Sequence, residues 1–151
     1  MEPAMIRKRS RRRQGTTAVE TAVVAMIFFM LMFSIFEYAR FIFTQQIIFQ
    51  AAREGARYAV VNTNDTSMVT GAQAVVKTKM CGLDKNTSYY NCSVFMSDSS
   101  GKNIGAATDA GFGVYICVQV DYDYSPIVPN LLFLNNTFRL TTKELMYSEA
   151  N

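Results

Sequence analysis

Thr17 to Phe36 reads TAVETAVVAMIFFMLMFSIF, twenty residues carrying a single charge, Glu20. As a helix rising about 1.5 Å per residue it spans roughly 30 Å, the thickness of a bilayer's hydrocarbon core. A helix that is apolar all round buries itself in a membrane or at the centre of a large core. No other segment among the 151 residues has the apolar surface to wrap it. The stretch therefore predicts one membrane span, residues 16–37.

The flanks orient it. Residues 1–15 carry Arg7, Lys8, Arg9, Arg11, Arg12 and Arg13 against Glu2, a local balance of +5 within a chain total of +3. Basic residues stay on the cytoplasmic side of a span, so the N-terminus is expected inside and the remainder outside. No A-x-A-like site of small residues follows the apolar run, as a cleavable secretory signal would require. Gln14 and Gly15 follow Arg11-Arg12-Arg13 where a twin-arginine signal would place bulky apolar residues. The expected organisation is a basic cytoplasmic leader (1–15), a transmembrane helix (16–37), its periplasmic continuation (38–60) and a small α+β periplasmic domain (61–151).

The helical pattern continues past the span. Polar residues recur at 37, 40, 44, 46, 50, 53 and 57, while Phe41, Ile48, Ala52, Gly55 and Ala59 line another face. One helix from about 16 to 60 is predicted, ended by the turn-prone Val61-Asn62-Thr63-Asn64-Asp65-Thr66. A shorter helix is expected over 66–80. Strands are expected over 90–96, 113–124 and 136–147, with 97–103 as a loop. In the second strand Val114, Ile116, Val118 and Val120 alternate with Tyr115, Cys117, Gln119 and Asp121, the period of a half-buried antiparallel strand. The fold class is α+β: a long N-terminal transmembrane and amphipathic helix packed on a small antiparallel sheet.

Composition narrows the function. There is no His, which removes the commonest general base and metal ligand, and no G-x-S-x-G motif offers an activated nucleophile. An enzyme is not expected, nor a metal or cofactor. Beyond the leader, acidic residues outnumber basic ones, so a nucleic-acid partner is not indicated either. Cys81, Cys92 and Cys117 match no zinc spacing. Cys81–Cys92 is the favoured disulfide, worth about 2–3 kcal/mol on the chain-entropy model, with Cys92–Cys117 across neighbouring strands as the alternative. Asp121-Tyr122-Asp123-Tyr124 reads as a strand end, with cation or partner binding the less favoured role.

The junction Gln14-Gly15-Thr16-Thr17-Ala18-Val19-Glu20 is the informative cluster. A cut after Gly15 would make the α-ammonium of Thr16 the new N-terminus, one turn from Glu20. A carboxylate at that depth is costly, less so toward the end of a span than at its centre. The ammonium of a neighbouring subunit would neutralise it and set the stagger between them. Thr17-Ala18-Val19-Glu20 also fits a capping box, in which Glu20 only satisfies backbone N–H groups. Ala51-Ala52-Arg53-Glu54-Gly55-Ala56-Arg57-Tyr58-Ala59 adds a second cluster. Its small residues every four positions permit close packing, Glu54 and Arg57 form an i,i+3 pair, and Arg53 and Arg57 share a face.

Residues 11–60 resemble the TadE/TadF pseudopilins of tight-adherence (Flp) pilus systems, within the type IV pilin-like proteins. Two parts carry the resemblance: the Arg-rich–Gly–x4–Glu opening of the apolar run, and the A-R-E-G-A-R stretch around Gly55. It implies a precursor in the bacterial inner membrane, cut by an aspartic prepilin peptidase and engaged with other pilins and the pilus assembly machinery in building an adhesive fibre. Carried over by position, Gly15 precedes the cut, Thr16 is the mature N-terminus, and Glu20 is the assembly acid. Arg53, Glu54, Gly55 and Arg57 are the helix-packing or partner-contact residues. Thr21 follows the acid where these families usually place Phe or Tyr. The length remaining after Gly15 exceeds that of a major Flp pilin, which points to a minor pseudopilin.

Overall fold

The computed structural model describes residues 12–85, 88–127, 129 and 136–148, with side chains from Gly15 onward. The leader cations Arg7, Lys8, Arg9 and Arg11 lie outside the described residues. Helix α1 runs unbroken over Arg12–Val61, fifty residues, as expected of a segment with no Pro. Turns through Asn62–Asp65 connect it to α2 (Met68–Lys79). Asp65 shapes this turn, its carboxylate accepting from the Ser67 N–H at 2.9 Å and the Ser67 hydroxyl at 2.8 Å.

Four strands follow: β1 (Tyr90–Ser97), β2 (Asn103–Ala106), β3 (Tyr115–Tyr124) and β4 (Phe138–Tyr147). They form one antiparallel sheet in the order β2-β1-β3-β4. The short β2 departs from the sequence expectation, which left 97–103 as loop and placed no strand between it and residue 113. Asp98 organises the turn that makes β2 possible. Its Oδ1 accepts from the Ser100 N–H, the Ser100 hydroxyl and the Lys102 N–H, and Gly101 supplies φ +79.

One layer of the core is α1 with α2, the other the sheet face carrying Cys92, Val118, Val120, Tyr122 and Tyr124. The even-numbered face of β3 is thus the inner one, as its alternation predicts. β3 runs antiparallel to α1. Tyr124 stacks edge-on against Phe41, ring centroids 5.4 Å apart, while Ile116 shares a cluster with Ala59. The eighteen helical residues from 41 to 59 cover about 27 Å, and the eight strand residues from 116 to 124 about 26 Å. Helix and strand therefore stay in step along the whole domain.

The face of α1 that meets the sheet differs in part from the expected one. Glu37 and Thr44, read in sequence as solvent-facing, are buried at 7% and 5% exposure. The periodicity places them there: 37, 41, 44, 48, 51, 52, 55 and 59 form one stripe of helical spacing, and local partners satisfy Glu37. Further toward the N-terminus the helix leaves the domain altogether. Val19, Val24, Met26, Ile27, Phe28 and Leu31 are all more than half exposed, and by length and composition the helix is long and apolar enough to cross a membrane.

Candidate functional site

Gly15, Thr16 and Glu20 lie inside α1, close to its start. Because residues 12–16 are already helical, Thr17 is not at an N-cap, and the Thr17–Glu20 capping box is not formed. The Thr21 hydroxyl bonds back to the Thr17 carbonyl at 2.8 Å. Glu20 is exposed and has no hydrogen bond or ion pair among the described side chains. A side chain at Gly15 would meet nothing within 4 Å. The junction is thus an open, locally weakened helical turn, since Gly in a helix interior costs about 1 kcal/mol relative to Ala.

The second cluster splits into two faces. Ala51, Ala52, Ala56 and Ala59 are fully buried, and Gly55 is where α1 comes closest to its neighbours. A Cβ there would lie 2.4 Å from Val76 Cγ2 of α2 and 3.6 Å from Val118 Cγ1 of β3. The small residues therefore serve packing within the chain. Arg53 and Arg57 point outward and are exposed, with Glu54 partly buried between them. The expected Glu54–Arg57 pair is not among the ion pairs of the described residues. The i,i+3 pair on α1 is instead Arg40 on Glu37, at 2.8 Å.

Residues 15–57 match the family model of TadE-like proteins. Over these residues the helix is similar to TadE-like proteins. The match opens on Gly15, closes on Arg57, and so takes in the junction, the exposed apolar half and the A-R-E-G-A-R stretch. No curated protein and no solved structure matches the chain. The sheet that packs on the TadE-like helix lies beyond the matched residues.

Where the TadE-like helix leaves its apolar half, it is tied to the end of β3 by a cluster that the sequence reading passed over. Glu37 accepts from the Tyr124 hydroxyl, from Arg40 and from the Ile127 N–H at 3.2 Å. Arg40 also donates to the Ser125 carbonyl at 2.6 Å and lies 4.7 Å from the centre of the Tyr124 ring. Burial, reinforced by its bond to Glu37, pushes the Tyr124 phenol up to about 12, so it stays a donor throughout the physiological range. The available signal was Glu37 and Arg40, an oppositely charged i,i+3 pair at the last residue of the apolar run.

Other expectations resolve locally. Asp121 accepts from Gln119 and Thr141, and Asp123 pairs with Arg139 at 3.0 Å, so these acids brace the outer sheet face. All three cysteines are free thiols, Cys81 exposed and the other two buried. The Cys81–Cys92 bridge is not formed. The alternative Cys92–Cys117 fails on register, because Cys92 faces Val120 while Cys117 faces Phe95, which puts the two on opposite faces of the sheet.

Proposed function

We propose that this chain is a TadE-like minor pseudopilin, cut by a prepilin peptidase between Gly15 and Thr16 and engaged in assembling an adhesive tight-adherence pilus. One observation carries the reading: the family match begins at Gly15, five residues before an exposed carboxylate in an otherwise apolar, domain-free helix. Before cleavage the protein is a single-pass inner-membrane precursor, its basic leader cytoplasmic and its α+β domain periplasmic. Removal of residues 1–15 takes away six basic side chains and creates the Thr16 ammonium.

That ammonium meets Glu20 of a neighbouring pilin or pseudopilin. At about 4 Å and an effective dielectric near 20, the attraction is about 4 kcal/mol before desolvation. It offsets the cost of a carboxylate in the membrane and fixes the axial register of the two helices. The exposed Arg57, and Arg53 beside Glu144 of β4, offer positive charge to acidic groups of the assembly machinery. The role is structural, not catalytic.

The test is a pair of variants in cells carrying the matching secretion genes. Gly15→Leu should leave a full-length precursor and no assembled protein. Glu20→Ala should be cut normally yet fail to co-assemble. Normal assembly of both variants would contradict the proposal.

A further inference from the structure

The end of the sheet nearest the membrane carries an apolar groove. Met30, Ser34, Tyr38 and Phe41 of α1 form one wall, and Tyr124, Pro126 and Phe138 the other, around about 570 Å³. Glu37 is the one charged residue of the lining, its carboxylate taken up by Tyr124, Arg40 and the Ile127 N–H. Beside it Ile127 is 71% exposed and Tyr38 67%. The depth of this groove is set by two contacts. The Ile127 N–H bonds to Glu37, the last residue of the expected span. Pro126 shares the groove with Met30, seven residues and about 10 Å further into that span. The Tyr124 end of the sheet therefore stands level with helix residues that belong in the bilayer.

The chain is chemically suited to that level. Among the described residues at this end, Tyr124, Ser125, Pro126, Ile127, Pro129 and Phe138, none is charged. Connections on a water-facing surface are normally polar with turn residues. Tyr38 stands at the groove where aromatic rings favour the headgroup layer.

We infer that the β3–β4 end of the sheet is a second membrane contact, with lipid acyl chains entering the groove between α1 and Pro126 and Ile127 immersed in the leaflet on the domain's side. The domain is then held against the bilayer at two points, and its tilt relative to α1 is fixed by the lipid surface as well as by the Glu37 cluster. This rests on α1 crossing a bilayer and not on cleavage after Gly15, so either claim can fail while the other stands.

The chain contains no Trp, so single-Trp variants report position without background. Full-length Ile127→Trp and Phe138→Trp, reconstituted in phosphatidylethanolamine–phosphatidylglycerol vesicles, are compared with Phe112→Trp. Phe112 is exposed beyond the opposite end of β3. Acyl-chain-brominated lipid should quench the first two at least threefold more strongly than Phe112→Trp, at every protein-to-lipid ratio. Equal quenching at all three positions would overturn the inference. Quenching at Ile127→Trp that disappears as protein density rises would assign the groove to a second copy of the chain, and overturn it as well.

Discussion

Tyr124 donates its hydroxyl to Glu37 across 87 residues of sequence, locking the last residue of β3 to the point where α1 passes from its exposed apolar half into its packed half. It acts with the Ile127 N–H bond to Glu37 and the Arg40 bond to the Ser125 carbonyl, the other polar ties between α1 and this end of the sheet. Tyr124→Phe keeps the ring on Phe41 and removes one of three donors to a buried carboxylate. A loss of about 1–2 kcal/mol is expected, read from chemical unfolding in detergent. Glu37→Ala should cost more, about 2–4 kcal/mol, because it strands Tyr124 and Arg40 together.

Gly55 has no room for a methyl group against Val76. Gly55→Ala should destabilise by about 1–2 kcal/mol, the overpacking penalty outweighing the gain in helix propensity. Adding Val76→Ala should recover part of that loss. Two fully additive losses would mean that the helices do not meet at this point.

The cysteines give a counting experiment. Under native conditions a maleimide should label Cys81 alone, and three thiols should react after denaturation without reductant. A count of one in the denatured, unreduced protein would restore the disulfide that the sequence suggested.

Alkaline stability should depend on Cys92. Burial raises its thiol to about 11 from the usual 9.0. The native thiol stays protonated while that of the unfolded chain ionises, so its contribution is complete below pH 9 and is lost as pH rises toward 11. The loss amounts to about 2–3 kcal/mol. Cys92→Ala should make the stability profile between pH 9 and 10 shallower, with the buried Cys117 thiol, also raised by burial, keeping part of the slope.

Much of this was legible from residues alone. The unbroken apolar and then amphipathic run foretold α1, because no Pro interrupts it and its exposed half has no polar face to pack beside. The alternation in β3 foretold its inner face. Glu37 and Thr44 were misassigned because residue type stood in for position: a carboxylate reads as solvent-facing until its three donors, two of them from beyond residue 120, are in place. β2 was missed because four residues, with Ile104 and Ala106 the apolar ones, are too short a run to establish a period, and its pairing depends on the Asp98 turn. The cysteine pairing failed for a similar reason. Closeness in sequence did not bring the exposed Cys81 to the buried Cys92, and lying on neighbouring strands does not set the register, which puts Cys92 and Cys117 on opposite faces.

The central claim is the cut after Gly15, and the most direct measurement is the intact mass of the protein recovered from membranes of cells expressing its native secretion genes. The account predicts a chain starting at Thr16, lighter by residues 1–15. A full-length chain, in cells where a known prepilin is processed, would contradict it and leave an uncleaved membrane-anchored receptor or adhesin module.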